Sequence, residues 1–323
     1  MEISENALIK KLKRFEKRDP RVIRGIGDDG AVIAMRGGQY VLVQDAMVEH
    51  VHFEFSFLNP YYVGKKAVQV NISDVLSMGA MPLYFLVTIG LPAGIRSQDI
   101  ERLYRGMRDA SKQLNMNLLG GDTVSSQTFF IDISMVGKLV AGAYFGRDKA
   151  RDGDLIGVTG YLGEAAYGLQ LLVEKDAQTK GAARCIKRFM DPVSPYTFWK
   201  ELMKHDITVA MMDISDGLII DLERMMLESN KAARIHLESV PVPQLLRKNG
   251  MEELALTGGE DYQFLFTFSP TKLARMKALK DKGHMVSIIG EVTGGRGVRV
   301  FREGKEVRLK RKGYQHFNGT SHG

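Results

Sequence analysis

Apolar and polar positions alternate along the chain in a way that predicts a mixture of strands and helices. In the first half, apolar runs predict strands at 40–43, 83–89, 117–119 and 129–139, and helical spacing predicts helices at 59–78 and 97–114, the latter capped by Ser97. In the second half we predict strands at 155–159, 209–212, 263–268 and 286–289 and helices at 163–173, 195–205, 218–229 and 271–281. The pattern indicates an α/β (α+β) protein.

The length of the chain indicates two domains. A chain of 323 residues exceeds what one hydrophobic core usually spans. The composition turns polar and glycine-rich around 146–154. We therefore predict an N-terminal domain at 1–146 and a C-terminal α/β domain at 147–323.

Composition and charge restrict the function classes. The formal net charge is +7, and much of the excess lies in the last quarter, at Arg299, Arg302, Lys305, Arg308, Lys310, Arg311 and Lys312. These residues alternate with Val300, Val307 and Leu309, which favours the solvated face of a terminal hairpin, with a basic nucleic-acid-binding protein as the remote alternative.

Cysteine usage and hydropathy predict where the protein works. The single Cys185 excludes a disulfide framework within the chain and fits a reducing cytosol, so we predict a cytoplasmic protein. The apolar runs fall short of a membrane span, and residues 1–13 form an amphipathic charged start rather than a signal peptide. We expect neither a membrane nor a nucleic acid as partner.

Aspartates beside Gly or Ser recur at several points where an apolar run ends. The segments are Gly27-Asp28-Asp29-Gly30, Gln44-Asp45, Ile72-Ser73-Asp74, Gly120-Gly121-Asp122-Thr123 and Asp213-Ile214-Ser215-Asp216-Gly217. Small residues let the backbone approach a ligand closely, and carboxylates without nearby thiolates or imidazoles suit Mg²⁺ together with substrate phosphates. The pattern predicts a magnesium and nucleotide site.

Asp74 carries the clearest local argument. On helix 59–78 it continues the buried stripe of Val63, Ala67 and Val70. An ionised carboxylate there is costly unless it is paired or binds a metal. The spacing therefore favours a metal ligand over a helix-end acid turned to solvent.

The other acids have ordinary alternatives when taken singly. Asp28 and Asp29 repel each other unless they diverge or share a cation, and they could form a simple polar turn. Asp45 is predicted to end a strand, and Gly121-Asp122 to form a turn suited to phosphate. Ser215 or Asp216 could cap helix 218–229, which explains one of the two acids at that junction but not both.

Taken in order, the motifs resemble those of the thiamine-monophosphate kinase family. They are Gly25-Ile26-Gly27-Asp28-Asp29, Asp45 with His52-Phe53, Val70-Asn71-Ile72-Ser73-Asp74 with Met78-Gly79-Ala80, Gly120-Gly121-Asp122-Thr123, Ile214-Ser215-Asp216-Gly217-Leu218, Gly258-Gly259-Glu260-Asp261-Tyr262 and Lys312-Gly313-Tyr314-Gln315-His316-Phe317. The resemblance covers nearly the whole chain. It implies a two-domain aminoimidazole ribonucleotide synthetase-like fold, whose N-terminal domains bind ATP and Mg²⁺ and dimerise through their sheets. The C-terminal domain would complete the active site.

The resemblance also implies roles for particular residues. The implied metal ligands are Asp29, Asp45, Asp74, Asp122, Asp213 and Asp216. The implied ATP contacts are Tyr104, Gly121, Asp122, Arg147 and Ser215, and the implied thiamine-phosphate contacts are His52, Glu260 and Tyr314. No catalytic nucleophile is implied, so we expect direct in-line transfer of the ATP γ-phosphoryl group to thiamine monophosphate, assisted by several Mg²⁺ ions.

Two segments depart from the family pattern. Val43 and Gln44 precede Asp45 where the family usually has Ser or Thr, and Asp191-Pro192 begins a segment where an Arg-Pro-x-Pro-Arg run is expected. The alternative is another ATP-dependent enzyme of the same superfamily, similar to aminoimidazole ribonucleotide synthetase or to the hydrogenase-maturation dehydratase.

Overall fold

The computed structural model describes residues 9, 13, 19–140, 144–176, 178–205, 207–309, 313 and 314. The predicted charged start at 1–13 lies mostly outside these residues. So do Lys310, Arg311 and Lys312 of the basic segment and residues 315–317 of the last motif.

The first half of the chain forms a six-stranded sheet backed by two helices. Its strands are β1 (Val22–Arg24), β2 (Ala31–Met35), β3 (Gly38–Val48), β4 (Ala80–Leu91), β5 (Asn117–Ser125) and β6 (Phe130–Leu139). Their spatial order is β1-β2-β3-β6-β4-β5, with β4 and β5 parallel and the other neighbours antiparallel. The helices are α1 (Pro60–Ser77) and α2 (Ser97–Lys112). β5 is therefore an edge strand.

Helix α1 is the central element of this half. Asn59 caps it by accepting a hydrogen bond from the Tyr62 N–H, and Pro60 stands at its first position, where the missing N–H costs nothing. α2 packs closely on α1, since a Cβ at Gly106 would lie 1.9 Å from the Tyr61 carbonyl oxygen. This close contact fixes α2 over the N-terminal half of α1, while Asp74 lies near the other end.

The second half forms a seven-stranded sheet with the order β13-β12-β9-β11-β7-β10-β8. Its strands are β7 (Leu155–Thr159), β8 (Thr208–Asp213), β9 (Ala232–His236), β10 (Phe264–Phe268), β11 (Val286–Thr293), β12 (Gly297–Arg302) and β13 (Lys305–Val307). Its helices are α3 (Glu164–Val173), α4 (Ala182–Met190), α5 (Tyr196–His205), α6 (Leu218–Glu228), α7 (Gln244–Lys248), α8 (Leu254–Thr257) and α9 (Leu273–Asp281). β12 and β13 form the predicted terminal hairpin.

A continuous hydrophobic core joins the two sheets. The cluster that contains Val63 and Phe85 of the first half also contains Trp199 and Phe266 of the second. The indole N–H of Trp199 donates to the carbonyl oxygen of Leu76 in α1, at 2.7 Å. Residues from both halves are thereby held against the last turn of α1. The predicted boundary at 146/147 falls between β6 and β7 and stays a prediction.

The differences from the sequence prediction include the surroundings of Asp45, Asp122 and Ser97. β3 continues to Val48, so Asp45 lies inside a strand, opposite Ile133 of β6, rather than at its end. Gly121 and Asp122 lie inside β5, where pairing with β4 extends the chain through the predicted turn. Ser97 is the first residue of α2 rather than its cap, because the residue before it is the one with extended backbone. Within the described parts of the chain, no helix is long and apolar enough to cross a membrane.

Candidate active site

Three aspartates from different elements meet at the junction of the two sheets. Asp29 lies in the loop between β1 and β2, Asp74 near the end of α1 and Asp213 at the end of β8. One carboxylate oxygen from each lies within 4.8 Å of the other two. The three residues are far apart in the sequence. The cluster therefore forms only because folding brings the end of a helix, a loop and the end of a strand together.

Asp45 and Asp216 extend this cluster. Asp45 hydrogen-bonds Asp74, and desolvation, followed by the charges of Asp216 and Asp29, raises the pKa of Asp45 to about 7. Burial, followed by repulsion from neighbouring carboxylates, raises the pKa values of Asp74 and Asp213 well above their ordinary range. So many carboxylates together favour proton retention or a bound cation.

The donor set of this cluster fits Mg²⁺. Its members are all carboxylates, and hard oxygen ligands with a large excess of negative charge suit Mg²⁺ rather than a thiophilic metal. The residues that could hold such ions are Asp29, Asp45, Asp74, Asp213 and Asp216.

Asp28 and Asp29 diverge around a shared arginine. Arg147 donates through its Nη2 to Asp29, and its backbone N–H donates to Asp28 at 3.2 Å. Asp28 also accepts from the Arg24 Nε at 2.9 Å, whereas Asp29 accepts from the Ser77 hydroxyl at 2.9 Å beside the acidic cluster. Burial and the charge of Asp29 raise the pKa of Asp28 to about 6. Asp28 is therefore bound by the two arginines, whereas Asp29 also contacts the acidic cluster.

A buried acid in α6 organises the loop that carries Ser215 and Asp216. The Oδ2 of Asp221 accepts hydrogen bonds from the backbone N–H groups of Ser215, Asp216 and Gly217, at 3.0–3.1 Å. Arg224 bonds both Asp216, at 2.5 Å, and Asp221, at 3.0 Å. Helix α6 has Gly217 as its N-cap and no side-chain cap bond, so the capping role considered for Ser215 or Asp216 is not observed. The Asp216 carboxylate is instead held by Arg224.

Two predicted substrate contacts are joined to this loop by backbone hydrogen bonds. The Glu260 N–H donates to the Ser215 carbonyl oxygen at 2.7 Å, and a Cβ at Gly259 would lie 2.5 Å from that oxygen. The Tyr314 N–H donates to the Asp216 carbonyl oxygen at 3.0 Å. The glycine at 259 permits the close approach, and both segments are anchored by backbone bonds.

His52 lies in the turn that follows β3. Its Nδ1 accepts from the Val48 N–H at 3.0 Å, which places the ring proton of the neutral imidazole on Nε2. Asp45 and Val48 are three residues apart on β3, so His52 lies about 10 Å along the strand from the cluster. The ring is oriented by the backbone.

The structure does not bring Asp122 and Gly121 to the cluster within one chain. β5 lies three strand positions from β3, which corresponds to about 14 Å from Asp45. Asp122 is exposed, and its Oδ1 accepts from the Thr123 N–H at 2.8 Å. A Cβ at Gly121 would lie 1.7 Å from the Val87 carbonyl oxygen, so strand pairing itself requires this glycine.

Tyr104 and Gln44 also point away from the cluster. Tyr104 is half-buried on α2, which covers the far half of α1. The Gln44 amide donates to Asp132 at 2.7 Å, because residue 44 faces the opposite side of β3 from Asp45. Gln44 therefore does not take the place of the hydroxyl expected before Asp45.

Sequence reasoning missed several residues at this site. Asp221 had a usable signal, as an acid in the first turn of a predicted helix. Lys66 had a weaker one, as a cation next to the apolar stripe of α1; it is 1% exposed and ion-paired to Glu260. Asp261, which the sequence motif at 258–262 already contains, is also buried, and it accepts from the Gly163 N–H at 2.6 Å at the start of α3, which is a structural role.

Comparisons with known proteins agree with this arrangement. Residues 27–139 match the family model "AIR synthase related protein, N-terminal domain", and residues 151–303 match the corresponding C-terminal domain. The thiamine-monophosphate kinase of Buchnera aphidicola subsp. Schizaphis graminum is 33% identical over 328 residues, covering 98% of this chain and 100% of that protein.

Solved structures show the same fold. A structure described as "AaThiL complexed with AMPPCP and TMP" has a TM-score of 0.84 and 32% identity, covering 97% of each chain. The hydrogenase maturation protein HypE in complex with ATP has a TM-score of 0.70, covering 98% of this chain and 96% of that one. At 19% identity, HypE shares the fold alone.

Fold and site together define an AIR synthase related protein with two domains and an acidic cluster where they meet. Within that class, the chain belongs to the thiamine-monophosphate kinase family.

Proposed function

We propose that the chain transfers the γ-phosphoryl group of ATP to thiamine monophosphate, giving thiamine diphosphate and ADP. The observation that carries the proposal is the convergence of Asp29, Asp74 and Asp213, with oxygens within 4.8 Å, in a chain of this family. The related structure with AMPPCP and TMP supports the choice of both substrates. The superfamily relatives that were the alternative are represented by HypE, whose likeness extends to the fold alone.

The acidic cluster would hold Mg²⁺ through Asp29, Asp45, Asp74, Asp213 and Asp216. When bound there, Mg²⁺ supplies positive charge that lowers the repulsion between two anionic substrates and stabilises the charge of a loose transition state. Asp221 and Arg224 keep Asp216 in place, and Arg147 keeps Asp29 in place. These side chains therefore act by orienting the carboxylates.

The reaction needs no base or nucleophile from the protein. The phosphate of thiamine monophosphate is largely ionised near neutral pH, so its oxygen attacks the γ-phosphorus directly while the bond to the bridging oxygen of ADP breaks. We assign the ATP contacts to Tyr104, Gly121, Asp122, Arg147 and Ser215 and the thiamine-phosphate contacts to His52, Glu260 and Tyr314. The backbone bonds that tie Glu260 and Tyr314 to the loop of Ser215 support the assignment of these three residues.

We further propose a homodimer formed through the N-terminal sheet. The outer face of this sheet carries exposed apolar side chains, with Leu42 38%, Tyr84 42% and Leu86 49% exposed, and every residue of the edge strand β5 is exposed. An apolar face next to an unpaired strand edge favours a second copy of the chain as its partner. In such a dimer Asp122, which faces outward, would reach the acidic cluster of the other copy.

Complementation tests this dimer. Asp74→Asn and Asp122→Asn are each expected to inactivate the enzyme. After the two inactive proteins are mixed and exchange subunits, a mixed dimer has one site with both substitutions and one site with neither. Recovery of turnover on mixing supports a shared site. Failure to recover it, with mixed dimers demonstrated by differently tagged subunits, would assign Asp122 to its own chain or to no site.

The function itself is tested by ATP-to-ADP turnover with a panel of acceptors. Thiamine monophosphate and formylglycinamidine ribonucleotide are the two informative members, because they distinguish the kinase from a synthetase of the superfamily. We expect turnover, with formation of thiamine diphosphate, for the first alone. A response to the second alone would overturn the proposal.

We also place the protein in the cytoplasm and expect no nucleic-acid partner. Steep, salt-dependent binding to nucleic acid without turnover would contradict the second expectation.

A further inference from the structure

A buried lysine pairs with the predicted substrate contact Glu260. The Nζ of Lys66 donates to the Oε2 of Glu260 and lies 3.8 Å from the centre of the Phe189 ring. Lys66 is 1% exposed, whereas the side chain of Glu260 keeps 24% of its surface accessible. The pair therefore connects the interior of α1 to a carboxylate that a ligand can reach.

The backbone of Glu260, like its side chain, is fixed by a hydrogen bond. Glu260 has φ +71°, a left-handed conformation that non-glycine residues seldom adopt, and it is fixed there by the 2.7 Å bond of its N–H to Ser215. Tyr262, two residues on, has φ +47° and donates its N–H to the Ile214 carbonyl oxygen at 2.9 Å. Such strain is concentrated at functional sites, where the surroundings hold one conformation.

The ion pair with Lys66 orients the carboxylate of Glu260. Loss of either partner would leave the other without its counter-charge, so the pair holds the two side chains against each other. A carboxylate accepts hydrogen bonds and donates none. Lys66 holds it through one oxygen, which limits the rotation of the side chain.

We infer that Lys66 is the positioning residue for Glu260, holding its carboxylate oriented to accept a hydrogen bond from an N–H group of the acceptor substrate. Thiamine monophosphate carries such a donor in its aminopyrimidine ring. This inference rests on the proposed function. Lys66 itself is too deeply buried to touch the substrate, so it acts through Glu260.

The neighbouring residue offers a matched control. Lys65 lies on the same helix and also makes an ion pair, with its Nζ 2.6 Å from the Oδ2 of Asp191. Its side chain is 14% exposed. Lys65→Met removes the same charge and the same kind of pair one position away, without touching Glu260.

The experiment compares steady-state kinetics of Lys66→Met, Lys65→Met, Glu260→Gln and the double variant Lys66→Met/Glu260→Gln, with thermal unfolding as a check of folding. For Lys66→Met we expect the KM for thiamine monophosphate to rise roughly tenfold, which corresponds to one oriented hydrogen bond, while the KM for ATP stays within about twofold. The double variant should be no worse than Glu260→Gln alone, because the lysine acts only through that carboxylate. If Lys66→Met fails to fold, Lys66→Gln, which keeps a donor, replaces it.

The outcomes separate the inference from the function on which it rests. An unchanged KM for thiamine monophosphate in Lys66→Met, an equal rise in Lys65→Met, an equal rise in the KM for ATP, or additive losses in the double variant would each overturn the inference while leaving the kinase activity established. Absence of thiamine-monophosphate-dependent turnover in the unsubstituted enzyme would overturn the proposed function and this inference together.

Discussion

Asp74→Asn should change stability and activity in opposite directions. The substitution keeps the shape of the side chain and removes one charge from the cluster with Asp29 and Asp213. In metal-free protein it removes like-charge repulsion, so the free energy of unfolding should rise. With Mg²⁺ it removes a proposed ligand, so turnover should fall by orders of magnitude.

The size of the stability effect follows from the spacing of the acids. Two unit charges 4.8 Å apart repel by about 3 kcal/mol at an effective dielectric constant of about 20. Partial exposure screens this repulsion, so we expect a net gain of about 2 kcal/mol for the variant in metal-free buffer.

The gain should depend on pH in a definite direction. Folding raises the pKa of Asp74 well above its ordinary value of 3.8, through burial and the charges of Asp213, Asp45 and Asp29. The folded protein therefore keeps a proton that the unfolded chain has lost, and wild-type stability falls as pH rises from that ordinary value towards the raised pKa. Asn has no such proton. The advantage of the variant should grow over this window and then level off.

Chemical denaturation of both proteins in a chelator, from acidic to alkaline pH, measures this difference, and repeating it with Mg²⁺ measures the loss of metal stabilisation. Asp281→Asn, at an exposed position in the last turn of α9, is the control and should change neither quantity. The reasoning is refuted if the Asp74 variant is no more stable than wild type without metal, or if it keeps near-normal turnover at low Mg²⁺.

Two further predictions concern the loop and the metal. Asp221→Ala leaves the N–H groups of Ser215, Asp216 and Gly217 without their acceptor and should lower the unfolding free energy by about 2–4 kcal/mol in denaturant titrations. Asp221→Asn should lower it less. Negligible losses in both variants would show that Asp221 does not organise the loop. Because the pKa of Asp45 is raised to about 7 in metal-free protein, Mg²⁺ binding near pH 6 should release protons and should tighten as pH rises. Calorimetry in buffers of different ionisation enthalpy measures this release, and pH-independent affinity would contradict it.

The local pattern of the sequence was sufficient for much of the secondary structure and for the kind of chemistry. Helix 59–78 was predicted to within one residue at each end, because Asn59 and Pro60 mark its start and the apolar stripe continues to its last turn. The burial of an acid on that stripe pointed to Asp74 without any knowledge of the fold. Residue type alone indicated hard oxygen ligands.

Strand pairing decided what the local pattern could not. Gly121 and Asp122 are residue types that are typical of a turn. Pairing with β4 nevertheless holds them in an extended strand at the edge of the sheet, about 14 Å from Asp45. A turn and a glycine-containing strand have the same local composition, and only the partner strand distinguishes them.

The sequence by itself determined that the candidate ligands are carboxylates suited to Mg²⁺ and that Asp74 lies on a helix, since both depend on side-chain chemistry and short-range periodicity. Only the tertiary structure decided which acids meet. Asp29, Asp74 and Asp213 are far apart in the chain and are brought within 4.8 Å by the packing of two sheets against α1. It also decided that Asp221 and Lys66 hold their neighbours in place, because a positioning role depends on which groups burial brings into contact.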